Sequence, residues 1–140
     1  MSLLNQKTIK KAVTLSGVGL HSGKHVKICI KPSDPDTGIV FKRIDLKGDN
    51  LIYPNFLNVS NTALNTTISN NSGAKVTTIE HLMGALFGIG IDNVLVEIDN
   101  EEVPILDGSA KLFIEKILSS GLDSSNRPIK IIKINKKVEF

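Results

Sequence analysis

Thr77-Thr78-Ile79-Glu80-His81-Leu82-Met83-Gly84-Ala85-Leu86-Phe87-Gly88-Ile89-Gly90-Ile91-Asp92-Asn93-Val94-Leu95-Val96-Glu97-Ile98 is the stretch that decides the fold class. Ile79, Leu82, Met83, Leu86 and Phe87 follow the i, i+3, i+4, i+7, i+8 spacing of one buried helical stripe, which predicts a helix beginning near Thr77. Gly88 and Gly90 end it. From Asn93, read as a turn residue, the period changes to two, and Val94, Val96 and Ile98 face the core from a strand.

Upstream of this unit the period of two recurs. Over residues 25–31 Val26, Ile28 and Ile30 share one face, as in a half-buried strand, and residues 32–38, with two prolines and a glycine, read as a turn. Further strands are expected at 39–44, 51–53 and about 60–68, the last carrying the β-branched Thr62, Thr66 and Thr67. Asn70-Asn71-Ser72-Gly73 reads as a turn before the helix. Downstream, a loop over 99–108 leads to a second helix with Asp107 or Ser109 as N-cap, ending near Ser120 before Gly121. Ala110, Phe113, Ile114, Ile117 and Leu118 form its apolar stripe. Alternation returns over 129–134 and again over 137–140, and the chain stops within that last run, which reads as a cut between domains. Strands followed by helix, strand, helix and strand imply an α+β fold: a two-layer sandwich of mixed or antiparallel sheet on two helices, one domain over 1–140.

Bulk properties agree. At 140 residues, 41% hydrophobic and 22% charged, the chain has the length and composition of one globular domain. No apolar run reaches the roughly 18 residues of a membrane span, and residues 1–7 lack the apolar stretch of a secretory signal, so a cytoplasmic location is expected. A single cysteine, Cys29, excludes an internal disulfide and reads as a small structural side chain. The net charge of +3 suits an anionic partner such as a nucleotide sugar, but the lysines are dispersed. With no Trp and one Tyr to stack bases, nucleic acid is not the expected partner.

The candidate chemistry lies among three histidines. His21 and His25 stand at helical metal-pair spacing, yet Gly17, Gly19 and Gly23 make the segment a loop leading into a strand, so neither is expected to bind metal. His81 adjoins Glu80. One reading makes Thr77 and Glu80 a capping box and leaves His81 a partly exposed helix residue. The other notes that His81 lies nearly opposite the apolar stripe, beside Gly84, Ala85 and Gly88, where another element or a ligand can approach. Adjacent helical residues point about 100° apart, so the two cannot chelate one metal tightly, but they can set a base and a ligand on neighbouring edges of one site. Thr at 77 excludes His-Glu-x-x-His and its inverse. A catalytic zinc takes about three protein ligands, and one credible ligand is present, so the others must come from elsewhere.

Four segments in order resemble the UDP-3-O-acyl-N-acetylglucosamine deacetylases: Gly17-Val18-Gly19-Leu20-His21-Ser22-Gly23, residues 77–86, residues 88–93 and Val103-Pro104-Ile105-Leu106-Asp107-Gly108-Ser109. The resemblance implies two similar α+β domains with zinc in the cleft between them, releasing acetate from a UDP-linked acylated glucosamine on the way to lipid A. By motif, His81 corresponds to a Zn2+ ligand and Glu80 to the general base. Leu20, Leu64 and Asn65 resemble positions lining the substrate cleft, His21 takes a structural hydrogen bond, and Asp107 takes an N-cap or turn role. The remaining zinc ligands, a general-acid His, an oxyanion-stabilising Thr and the acyl-chain passage belong to the second half of the family pattern and have no counterpart here. The expectation is a folded first half that binds zinc weakly and is inactive alone, with the missing C-terminal domain as its partner. The competing reading is a non-catalytic α+β module that binds RNA or protein, for which a Glu-His helix has no use.

Overall fold

Alternating apolar residues from the middle of the chain meet in one mixed sheet. The structure is a computed structural model that describes residues 4–139. In chain order the strands are β1 (Asn5–Ile9), β2 (Val13–Val18), β3 (His25–Pro32), β4 (Ile39–Arg43), β5 (Leu51–Ile52), β6 (Val59–Asn61), β7 (Thr67–Ser69), β8 (Lys75–Val76), β9 (Val94–Ile98) and β10 (Leu122–Pro128). The helices are α1 (Glu80–Gly88) and α2 (Lys111–Ser119), with a short 3-10 turn at Phe56–Asn58. Five strands pair in the order β2-β3-β9-β4-β5, antiparallel except for the parallel β4–β9 ladder. A parallel pair needs a long crossover, and here it contains β5 through β8 and α1.

Val26, Ile28 and Ile30 of β3 are buried with Val94, Val96 and Ile98 of β9 and Phe41 of β4. Leu82, Ala85 and Leu86 of α1 and Phe113 and Ile117 of α2 complete the core. The opposite face of β3 is polar, and Lys31 pairs with Glu97 at 2.7 Å. This is the expected two-layer α+β architecture. Two small sheets flank it, β1-β10 and β6-β7-β8. Arg43, buried at the end of β4, grips both Asp45 carboxylate oxygens at 2.8 and 2.6 Å and donates to the Lys75 carbonyl at 2.7 Å. The bidentate contact with Asp45 holds the guanidinium in place, and its bond to the Lys75 carbonyl ties β8, and with it the lead into α1, to the main sheet.

Several expectations need correction. The α1 stripe is rotated: Phe87 is 87% exposed, while Ala85, expected beside His81, is fully buried. The expected strand over 60–68 is broken into β6 and β7 by a loop at 62–66. Residues 129–134 and 137–139 form no strand, and beyond the half-buried Ile129 they are exposed, because nothing among the described residues covers their apolar side chains; Phe140 lies outside the described residues. The terminal strand is instead the polar run of β10, paired with β1. Asn93 is no turn residue. It is 2% exposed, donating to Gln6 Oε1 at 3.0 Å and accepting from the Gly38 amide at 2.9 Å. At the start of α2 Ala110 makes no side-chain cap, but the Ser109 hydroxyl just before it accepts from the Lys111 amide at 3.1 Å, as expected of a capping residue. Asp107 takes a turn role, accepting from the Ser109 amide at 3.0 Å.

Candidate active site

The glycine-rich segment after β2 closes on itself before β3 begins. The Gly19 amide donates to the Lys24 carbonyl and the Gly23 amide to the Gly19 carbonyl, both at 3.0 Å, with Gly23 at φ +65. This turns the His21 and Ser22 amides inward, onto Glu102 Oε1 at 2.9 Å and Oε2 at 2.8 Å. The Thr78 hydroxyl donates to Oε1 at 3.0 Å. Glu102 is only 3% exposed, so the loop forms a small anion nest around a buried carboxylate. Burial alone would raise its pKa, but the donors of His21, Ser22 and Thr78 together outweigh it and hold the carboxyl below the usual range. Gly19 is required by close approach, since a Cβ there would lie 2.4 Å from Glu102 Oε2.

Thr77 and Glu102 form a parallel bridge, the Thr77 amide donating to the Glu101 carbonyl at 2.9 Å and the Val103 amide to the Thr77 carbonyl at 3.1 Å. The Ile105 amide donates to the Val18 carbonyl at 3.0 Å. Three of the sequence motifs, far apart in the chain, therefore meet at Glu102. The next residue, Thr78, is 1% exposed and left-handed at φ 56, a conformation few β-branched residues adopt. Ile79 then enters helical geometry with no side-chain cap.

The capping box is absent. The Thr77 amide is committed to Glu101, and Glu80 Oε2 accepts instead from the Thr66 amide at 3.0 Å. The Ile79 amide donates to the Thr66 carbonyl at 3.4 Å, so the 62–66 loop binds the start of α1 at two points. Glu80 and His81 are both half-buried, and a Cβ at Gly84 or Gly88 would meet nothing within 4 Å. The α1 surface near His81 is thus open. Leu20 is 60% exposed on the nest loop, and Leu64 is 90% exposed at φ 62 on the loop that carries Thr66. Asn65 is half-buried and accepts from the Thr67 hydroxyl at 2.9 Å.

A polar cavity of about 520 Å³ brings His21, Asn65, Thr67, Thr77 and Glu102 together, but not Leu20, Leu64, Glu80 or His81. A larger cavity of about 820 Å³, lined by Thr8, Lys10, Pro32 and Asp34, holds none of the candidate site residues, and Asn93 is the one motif residue in its wall. His21 does take a structural hydrogen bond, though through its backbone amide. His25 opens β3 and is exposed. Among the described residues no three His, Cys, Asp or Glu side chains converge on a metal position. His81 therefore fits a zinc site only as one ligand among others supplied from outside these residues.

Sequence reasoning missed Glu102 and Thr78. Glu102 read as one of several acidic loop residues, and its amide partners stand 81 and 80 positions away, so no local signal marks it.

A two-layer α+β fold here sets a carboxylate and an imidazole side by side at the first turn of an open helix, groups suited to hydrolytic chemistry. A family model for UDP-3-O-acyl N-acetylglycosamine deacetylase (LpxC) matches residues 6–140. The chain belongs to that family of deacetylating hydrolases of lipid A biosynthesis, which act on a nucleotide-sugar lipid.

Proposed function

We propose that this chain carries the first half of a zinc-dependent active site that deacetylates UDP-3-O-acyl-N-acetylglucosamine in the cytoplasm, with Glu80 as general base and His81 as a zinc ligand. The supporting observation is the carboxylate of Glu80, held through Oε2 by the Thr66 amide in the first turn of an open helix, which leaves Oε1 to take a proton. Zinc, when bound, would polarise the acetyl carbonyl and acidify water. Glu80 accepts a proton from water as the water oxygen bonds to the acetyl carbonyl carbon; the amide C–N bond then breaks, acetate leaves, and that proton passes to the amine nitrogen. Leu20, Leu64 and Asn65 line the substrate side, two of them as exposed apolar groups suited to an acyl-bearing ligand. One imidazole does not hold zinc tightly, so the remaining ligands come from a second domain, and the chain alone turns over little or no substrate.

The test mixes this chain with the separately produced second domain and zinc, and follows acetate release. Activity requiring both parts, and falling by about 10²–10⁴-fold in Glu80→Ala, is the expected result. Full activity of Glu80→Ala would remove Glu80 as the base.

A further inference from the structure

We propose that Glu102 is a positioning residue for this site, tying the Leu20 loop and the turn before Glu80 to one buried carboxylate. The inference deepens the deacetylase reading and rests on it for its catalytic consequence, but its structural part stands on geometry alone. The carboxylate receives three donors from two segments, the His21 and Ser22 amides on one side and the Thr78 hydroxyl on the other. No Lys or Arg forms an ion pair with it among the described residues. A buried charge without a counter-ion persists only where hydrogen bonds replace its hydration, so all three donors are held to it.

The consequence runs through Thr78. The chain leaves the Thr77–Glu102 bridge and is helical by Ile79, so one residue must absorb the change of direction, and it does so in the left-handed region. A non-glycine residue stays there only when its surroundings over-determine it. The Oγ1 contact to Glu102 is the polar tie that does this. Two residues later Glu80 reaches the Thr66 amide. Loosening Glu102 lets Thr78 relax towards ordinary φ, turns the first turn of α1 and separates Glu80 from Thr66. The same change frees the loop that carries Leu20.

Amide hydrogen exchange of the chain, wild type against Glu102→Gln, reads this directly. Gln keeps the volume but offers one acceptor oxygen, so at least one amide of the nest loses its partner. The expected result is exchange at the Thr66 amide accelerated by about 10-fold beyond the change seen at Ile28 and Val96 of the β3–β9 ladder, since local opening is separable from global unfolding. Thr78→Val, which removes only the hydroxyl, moves Thr66 in the same direction and covers the case in which Glu102→Gln folds poorly. If Thr66 follows the ladder residues in both variants, Glu102 is merely structural and the inference falls.

In the two-part enzyme, Glu102→Gln lowers kcat by about 10–100-fold, as removal of a supporting partner does, with KM changed by less than about twofold. An unchanged kcat overturns the catalytic consequence. Thr66 responding while Glu80→Ala retains full activity upholds the positioning and instead removes Glu80 as base.

Discussion

Gly19→Ala isolates the close approach on which the nest depends. Gly19 has no left-handed φ, so alanine meets no backbone penalty there, and the whole effect is steric. The added methyl would stand 2.4 Å from Glu102 Oε2, 2.4 Å from Ser22 Oγ and 2.8 Å from Glu102 Cδ. Ordinary carbon contacts lie at about 3.5–4 Å, so the carboxylate must retreat by about 1 Å. It cannot do so while keeping the Ser22 amide at 2.8 Å. Overpacking a fixed site costs about 1–3 kcal/mol, and a hydrogen bond to a charged group contributes about 1.5–3 kcal/mol, so a loss of about 3–5 kcal/mol is expected. Gly23→Ala is the control. It sits at φ +65 with nothing within 4 Å of the new methyl, so it carries backbone strain alone, about 1–2 kcal/mol. Urea unfolding at neutral pH compares them, and the cycle closes with Gly19→Ala in a Glu102→Ala background, where the methyl meets only the Ser22 hydroxyl, which a change of rotamer moves aside, and its cost falls to about 1 kcal/mol. Gly19→Ala no more damaging than Gly23→Ala, or costs that simply add in the cycle, would refute the contact.

Glu102 also links stability to pH. Its folded pKa is depressed, so the stability it contributes is fully present above the unfolded carboxyl value of about 4.3 and is lost as pH falls through the lower folded value. The stability difference between wild type and Glu102→Gln should therefore shrink on acidification below about pH 4, and a difference constant from neutral to acid pH would deny the linkage. Helix α1 supplies a second comparison by thermal or urea unfolding. Leu86→Ala, at a fully buried position, should cost about 2–5 kcal/mol, whereas Phe87→Ala, at 87% exposure, should stay within about 0.5 kcal/mol. Equal losses would mean that the helix is rotated towards the stripe that its sequence periodicity suggests.

The elements legible in the sequence are those whose burial is periodic and local. Strand β3 buries Val26, Ile28 and Ile30 on one face, β9 does the same with Val94, Val96 and Ile98, and both helices show apolar spacing. Strand β10 has no such pattern: Leu122-Asp123-Ser124-Ser125-Asn126-Arg127-Pro128 is held by its ladder with β1, a contact made across the whole chain. The converse failure is 129–134, where alternation is present and Ile132 is 95% exposed, because a period of two makes a strand only where a neighbour receives it. At the site, Glu80 and His81 are readable as a helix-borne pair. The carboxylate that organises their surroundings is not, since Glu102 acquires meaning only when residues 21, 22 and 78 fold onto it.

The missing capping box bears on the chemistry. A Glu at the third position after a Thr normally returns its carboxylate to the helix start, which would occupy the group proposed as base. Here the Thr77 amide belongs to the bridge with residue 101, and the Ile79 amide goes to the Thr66 carbonyl, so the backbone ends the strand and begins the helix without Glu80. The strained Thr78 makes this possible, because a single left-handed residue replaces the extended N-cap through which the Glu would have closed the box. Glycine would adopt that turn with less strain, but it has no hydroxyl to bind Glu102. Threonine at φ 56 is thus a local cost, of order 1–3 kcal/mol, that keeps a carboxylate out of helix capping and fixes its remaining contact at the Thr66 amide.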